Sequence, residues 1–226
     1  MRNVKQTIEK VAAELQTKGY KKKKTVLYRK CNDIIIVYAF ERPSDLLYVQ
    51  FCVIPLYAPN PGYVYYTYGG RFNNIFDDVP VLPGNASEAE KAEWSDIVIG
   101  HINNSIEPFC NAISSADGMK AFLKKTSCPS GTDWKMSKYI NATPDNLILL
   151  TMYCSIFQRE FPEALIAAKE YISDINNNGI YTAAVASKKA EDVQKIVSML
   201  EGEQYDSLNE LCSKWIRENL ELFHFH

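Results

Sequence analysis

The sequence has few of the residues, and none of the motifs, by which enzyme sites are most often recognised. Histidine occurs three times among 226 residues, and two of the three are His224 and His226. A Ser–His or Cys–His catalytic pair therefore has few places to form. The phosphate-loop, dinucleotide, nucleophile-elbow, zinc-protease and kinase signatures are missing. These absences argue against catalysis, and the sequence predicts neither a metal nor a cofactor.

Closely spaced cysteines and long apolar runs are also missing. The nearest two of the six cysteines, Cys110 and Cys128, are eighteen residues apart, which excludes CxxC-type zinc or redox patterns. The longest apolar run, residues 147–157, is shorter than the roughly 20 residues that a membrane-spanning helix needs. The first sixteen residues are charged throughout and contain no apolar core of a signal peptide. We therefore expect no membrane association and a cytoplasmic protein.

The charge of the chain is unevenly distributed. The net charge is −2, but the first thirty residues hold ten Lys and Arg against two Glu, which leaves the remainder at −10. With 46% hydrophobic and 23% charged residues, the composition is that of a globular protein with one large domain or two small ones.

The first half of the chain reads as a helix followed by four strands. Val4, Ile8, Val11 and Leu15 recur at helical spacing. Four segments rich in β-branched and aromatic residues come next: residues 25–31, 33–40, 46–54 and 63–68. Their short connections predict antiparallel pairing. The second and third strands are apolar on both faces and belong at the centre of the sheet, whereas the other two suit edges or half-exposed positions.

The second half is helical. A helix capped by Ser87 or Asn85 is expected to kink or divide at Pro108, and further amphipathic segments follow Pro144 and Pro162, each at the start of a helix. Residues 180–186 fit either a strand or a helix. We predict an α+β protein with an N-terminal helix on a four-stranded antiparallel sheet, residues 1–126, followed by a helical region, residues 127–226.

The most basic stretch of the chain is GYKKKKTVLYRK, residues 19–30. A polyanion site would gather its basic groups on one face. Alternation along a strand instead sends Lys21 and Lys23 one way and Lys22 and Lys24 the other. Lysines on an edge strand also block edge-to-edge pairing. The sequence therefore disfavours nucleic acid as a partner, and polyanion binding through Lys21–Lys24 is the weakest of three functional hypotheses.

Candidate binding residues cluster around the strand ends. Five tyrosines fall within residues 57–68, and on an exposed sheet face Tyr66 and Tyr68 would offer rigid contact area with a polar tip. Four charged residues could line a small anion site beside them: Arg29, Glu41, Arg42 and Arg71.

The first 125 residues resemble the bacterial Domain of Unknown Function 4304 family. The resemblance rests on GYKKKKTVLYRK, DIIIVYAFERPS, VQFCVIPLY, YGGRF, a Trp-bearing helix, and SIEPFCNAISSADGMKAFLKK. The stretch FERPS departs from the polar stretch usual in that family. The resemblance implies a bacterial origin and a shared fold, but no activity.

The leading functional hypothesis is a non-catalytic protein-interaction module. One form of it is an immunity-type protein, which would neutralise a basic toxin with its acidic helical half. The alternative is a small-ligand receptor or enzyme with a pocket between sheet and helices. The sequence determines neither the partner nor the oligomeric state.

Overall fold

The computed structural model describes residues 2–60, 68–126, 139, 144–178 and 183–225. These residues form two compact units. The sheet unit contains the described residues of 1–55, 68–115 and Tyr139, and the helical unit contains those of 56–60, 116–126 and 144–225. The α+β class, with an N-terminal helix, an antiparallel sheet and a C-terminal helical region, is confirmed. The predicted boundary in the irregular stretch after Thr126 lies outside the described residues.

The sheet unit contains six described strands with helices before and after them. In chain order its elements are α1 (Arg2–Thr17), β1 (Lys21–Lys23), β2 (Val26–Cys31), β3 (Ile34–Glu41), β4 (Leu46–Pro55), β5 (Gly69–Arg71), α2 (Phe72–Ile75), β6 (Leu82–Pro83), α3 (Glu88–His101), a π-helix (Ile102–Ile106) and α4 (Glu107–Ala112).

Helix α1 follows the apolar stripe that the sequence predicts. Val4, Val11 and Leu15 are all buried, and the helix lies along α3, where Lys10 Nζ is 2.6 Å from Asp96 Oδ1. Gly19 then adopts a left-handed φ of 84°, as expected of a glycine just past a helix end.

The sheet is antiparallel throughout, as predicted, in the order β1-β2-β3-β4-β5, with β6 also paired to β4. The segment 25–31, predicted to be an edge or a half-exposed strand, is a half-buried inner strand, because β1 pairs with β2 outside it. The chain turns tightly at Lys24, whose φ is 57°, and so the lysine run itself becomes the edge strand. The predicted strand 63–68 lies outside the described residues except for Tyr68, and the described strand β5, Gly69–Arg71, pairs with β4.

The two central strands are buried on both faces. One face of these strands carries Ile36, Tyr38 and Phe51, and we call it the Tyr38 face. The other face carries Val37 and Cys52. On the Tyr38 face, the rings of Tyr38 and Phe72 meet edge to face with their centroids 6.2 Å apart.

Of the two caps predicted for this helix, Ser87 and Asn85, Ser87 is the N-cap, and the hydrogen-bond pattern of the helix changes before Pro108. Ser87 and Glu90 form a reciprocal capping box, which satisfies two backbone donors at the start of α3. After His101 the helix widens into one π-helical stretch and resumes as α4. Since proline has no N–H and its ring clashes with the preceding turn, Pro108 accounts for the change of hydrogen-bond pattern just before it.

The helical unit is built from amphipathic and apolar helices. Its described helices are α5 (Ala116–Thr126), α6 (Pro144–Phe157), α7 (Phe161–Asn178), α8 (Ala183–Glu201) and α9 (Tyr205–Leu222). Helices α6 and α7 form the predicted hairpin, and the turn between them holds Arg159 at a left-handed φ of 61°. Of the undecided segment 180–186, the part from Ala183 onward is helical, and the rest lies outside the described residues.

A buried amide ties residues 56–60 to this unit. Asn219 of α9 is 1% exposed, and its Nδ2 donates to the carbonyl oxygens of Leu56 and Ala58 at 3.0 and 2.9 Å. Among the helices that the structure describes, none combines the length and the apolar character needed to cross a bilayer.

Candidate functional site

Three of the residues nominated from the sequence, Arg29, Glu41 and Arg71, lie in two clusters within the sheet unit. Arg29 lies in the first, where its Nη2 is 2.6 Å from Glu107 Oε2. The hydroxyl of Tyr20 donates to Glu107 Oε1 at 2.5 Å, and that of Tyr38 donates to the same oxygen at 3.3 Å. The Arg29 guanidinium also lies 4.8 Å from the centroid of the Tyr20 ring. One carboxylate therefore binds two phenols and a guanidinium, and we call this set the Glu107 cluster.

The π-helix and Pro108 explain how Glu107 reaches this position. Glu107 is the first residue of α4, directly after the π-helical stretch, and the extra residue in a π-turn rotates the next helical residues relative to a regular α-helix. Glu107 is 7% exposed, between the buried Ile106 and the buried Phe109. A buried carboxylate needs partners to offset its lost hydration, and the Tyr38 face supplies them.

Burial and neighbouring groups shift the pKa values of Tyr20, Tyr38 and Arg29. Burial raises the pKa of Tyr20 well above its ordinary value, and the neighbouring Glu107 charge raises it further. Burial likewise raises the pKa of Tyr38, and the nearby Tyr20 adds to it. For Arg29, burial alone would lower the pKa, but Tyr20 and Glu107 outweigh burial and the pKa rises.

The nearby thiol is held protonated in the same way. Burial, followed by the Glu107 charge, raises the pKa of Cys110 well above that of a free cysteine. A thiol in that state is a poor nucleophile and a poor metal ligand. The Glu107 cluster thus joins neutral phenols, a cation and a carboxylate, which is an arrangement suited to fixing α4 on the sheet, although Arg29 Nε has no hydrogen-bond partner among the described residues.

The second cluster surrounds Arg71. Both Nε and Nη2 of Arg71 donate to Glu41 Oε2, at 3.2 and 2.9 Å, and the guanidinium lies 4.4 Å from the centroid of the Tyr48 ring. The Arg71 side chain is 40% exposed, so this ion pair is at the surface and contributes modestly to stability.

The strand register places Arg29 and Arg71 on opposite faces of the sheet. Arg29 is opposite Ile36, whereas Arg71 is opposite Gln50, which is opposite Ala39. Ile36 and Ala39 are three residues apart on β3 and therefore point to opposite sides. The structure does not bring the two arginines into a single anion site.

The other nominated residues join neither cluster. Tyr66 lies outside the described residues. Tyr68 is buried, and its carbonyl accepts a hydrogen bond from Val53 N at 2.8 Å. Arg42 lies at the turn between β3 and β4, with its Nη2 3.5 Å from Asp45 Oδ1.

The lysine run is divided between the two sides of β1. Lys22 is opposite Leu27 and its Nζ is 2.5 Å from Glu9 Oε2 of α1. Lys21 and Lys23 point the other way. The three lysines of β1 therefore do not converge on one face, as the alternation predicts, and Lys24 lies in the turn that follows.

His101 and Asp78 form a pair that the sequence did not reveal. His101 Nε2 is 2.8 Å from Asp78 Oδ1, and the imidazole stacks on Phe76 with ring centroids 3.8 Å apart. Within the part of the chain that the structure describes, no group of three or more His, Cys, Asp or Glu residues is placed to bind a metal.

The helical unit carries an open polar groove along α9. Its volume is about 690 Å³, and it is lined by Arg159, Asp206, Asn209, Glu210, Ser213 and Arg217. Five of these residues are on α9, at a helical spacing that places them on the solvent-facing side of this helix. The sequence shows this stripe as polar residues between the buried Leu208, Cys212 and Trp215, but only the fold places Arg159 beside it.

A second surface feature lies on α7. Ile166 is 68% exposed, well above Leu46 and Leu222, the other exposed large hydrophobic residues that the structure describes. Glu163 and Glu170 lie on the same side of α7 at helical spacing and are also exposed. We call Glu163, Ile166 and Glu170 the α7 face.

Comparisons with known proteins add no further information, because no family model, no curated protein and no solved structure matches this chain. The resemblance to the Domain of Unknown Function 4304 family therefore stays a prediction.

Proposed function

We propose that this protein is a non-catalytic module of the bacterial cytoplasm that binds a basic protein partner through its helical unit. An immunity-type protein that neutralises a basic toxin is one specific form of this function. The proposal is carried by the α7 face, where an exposed aliphatic side chain lies between two carboxylates.

The α7 face has the composition of a small binding centre. Single exposed apolar residues are common, but a large aliphatic side chain that is 68% exposed has much of its apolar area available for burial by a partner. Interfaces combine an apolar centre with a polar rim. Glu163 and Glu170 would form that rim around Ile166.

The charge of the α7 face and of the region around it favours a basic partner. Neither Glu163 nor Glu170 has an ion-pair partner among the described residues, whereas the neighbouring Lys169 is paired with Glu201 at 2.7 Å. Residues 142–226 carry thirteen acidic against seven basic residues. A field of this sign accelerates association with a positively charged surface and repels an acidic one.

The test is capture of a partner from the native host, followed by affinity measurement with the purified partner. We expect a basic protein to bind. Ile166→Ala should weaken binding at least about tenfold, as truncation of a central interface residue does. Glu163→Lys with Glu170→Lys should slow association and reduce its dependence on salt.

Leu46→Ala is the matched control, since Leu46 is 38% exposed and belongs to the sheet unit. It should leave the affinity unchanged. A partner that binds all of these variants equally well would contradict the proposed surface, and a chain that binds no protein but turns over or retains a small molecule would favour the receptor or enzyme alternative.

A further inference from the structure

The polar groove along α9 has a charge pattern that complements itself. Asp206, Glu210, Ser213 and Arg217 lie within about 60° of one another around the helix, because each residue advances by roughly 100°. Read from the start of the helix, the stripe is acidic, acidic, hydroxyl and basic.

We propose that the α9 stripe is the contact surface for a second copy of this chain, related by a two-fold axis with the two α9 helices antiparallel. An isologous contact requires a surface that is its own complement. With the axis level with the midpoint between Leu211 and Cys212, Asp206 faces Arg217 of the partner subunit. In the same register, Glu210 faces Ser213 of the partner subunit, and each contact occurs twice.

The local geometry permits these contacts. Asp206, Glu210, Ser213 and Arg217 are all exposed, and neither Asp206 nor Arg217 has an ion-pair or hydrogen-bond partner for its side chain among the described residues. The small Ser213 near the axis permits close approach of two helices. Its hydroxyl donates to the Asn209 carbonyl at 2.8 Å and can rotate to donate to a carboxylate instead.

Arg159 offsets the main cost of this arrangement. Two Glu210 carboxylates would come near each other at the two-fold axis, and like charges that face each other are destabilising. Arg159 lines the same groove, and its backbone is held in the α6–α7 turn by a hydrogen bond from its N to Ile156 O at 3.0 Å. The Arg159 guanidinium has no ion-pair partner among the described residues. Each copy therefore brings one such guanidinium into the groove that holds the Glu210 carboxylates.

This inference goes beyond the proposed function, because the α9 stripe and the α7 face share no residue. The contact consists of exposed charges, so it should be weak and sensitive to salt. It predicts a monomer and dimer in exchange, with the dimer favoured at high protein concentration and low ionic strength.

Sedimentation of the full chain over about a hundredfold concentration range tests the proposal, because dimer formation follows mass action. The wild type should shift from the 25.7 kDa of one chain toward twice that mass, and added salt should reverse the shift. Asp206→Arg alone and Arg217→Asp alone should each weaken the dimer at least about tenfold, since each breaks two pairs and creates like-charge contacts.

The double variant D206R/R217D decides the outcome. It restores both pairs in the same register, keeps the net charge and should recover the wild-type association. Circular dichroism confirms that each variant is folded. A wild type that stays monomeric, single variants that dimerise normally, or a double variant that fails to recover would each overturn the proposal. None of these results would bear on partner binding at the α7 face.

Discussion

Glu107 shows how much a single residue contributes to the sheet unit. Its carboxylate is nearly excluded from water and accepts hydrogen bonds from Tyr20, Tyr38 and Arg29. These residues come from the connection between α1 and β1, from β3 and from β2. Removing one partner of a buried ion pair leaves the other charge uncompensated, and this costs more than the pair itself contributes. The Arg29 side chain is 23% exposed, and its guanidinium is bound to Glu107 rather than presented to an external anion.

The raised pKa of Tyr20 gives a prediction about stability at alkaline pH. Below about pH 10 tyrosine is protonated in both the folded and the unfolded chain. Above that value the unfolded chain loses the Tyr20 proton while the folded chain retains it, because burial and Glu107 raise the folded pKa. The free energy of unfolding should therefore fall as the pH rises past about 10.

Tyr20→Phe separates the hydrogen bond from the titration. At neutral pH the variant should lose about 1.5–3 kcal/mol, the usual contribution of a hydrogen bond to a charged group. Above about pH 10 the free energy of unfolding of the variant should fall less steeply with pH than that of the wild type. The two slopes should differ by up to about 1.4 kcal/mol per pH unit. Urea unfolding at several pH values measures both effects, with Tyr48→Phe as the control. Equal slopes for Tyr20→Phe and the wild type would contradict the assigned role.

At the scale of the element, the short strand β5 depends on a residue without a side chain. A Cβ placed on Gly69 would lie 2.1 Å from the Phe51 carbonyl oxygen and 2.6 Å from Cys52 Cα. Both atoms belong to β4, the strand to which β5 is paired. Only glycine permits this close approach.

Two glycine substitutions test this dependence against a matched control. Gly69→Ala should lower the free energy of unfolding by more than about 2 kcal/mol, because the backbone of β5 must move away from β4. Gly100→Ala, in α3 with nothing within 4 Å of the added Cβ, should raise it by about 0.5–1 kcal/mol through helix propensity. Thermal or urea unfolding measures both changes. Gly69→Ala with the stability of the wild type would show that β5 pairs less closely than described.

The sequence predicts an element well when the element is long enough to bury one regular face. β3 and β4 were predicted to within a residue or two from continuous apolar runs, and α3 was predicted from the capping residue Ser87. β1 and β6, with three and two residues, are too short to have a periodic pattern, and tertiary pairing alone defines them. The π-helix before Pro108 was predicted only as a kink, since a proline predicts a break but not the form that it takes.

At the scale of the whole molecule, the candidate sites depend on which distant segments the fold brings together. Residue type nominated Arg29 and Arg71 for a small anion site, and in the structure each binds a carboxylate of the same chain. Their partners, however, are 78 and 30 residues away in the sequence, and the strand register separates the two arginines. Glu107 was missed because one charged residue in an apolar helical run looks like part of its solvent face. Arg159 was missed because only the α6–α7 turn places it beside α9.

The uneven charge of the chain leads to a prediction about polyanions. The first thirty residues have a net charge of +8, which suggests DNA or heparin binding. However, Lys22 is neutralised by Glu9, and the alternation of β1 sends its neighbours to the other side. The rest of the chain carries −10 and would repel a long polyanion that extends beyond the lysines.

We therefore expect no measurable binding of the full chain to a DNA duplex or to heparin, even at about 50 mM salt. Fluorescence anisotropy with a labelled duplex measures this, and Glu9→Lys is the informative variant, because it frees Lys22 and adds a positive charge beside it. If Glu9→Lys binds while the wild type does not, pairing with Glu9 is what prevents a basic patch from forming. The wild type itself could instead bind, with an affinity that falls steeply as salt is added. That result would make the lysine run a polyanion site. It would also show that dividing the lysine charges between the two sides of β1 is not sufficient to prevent binding.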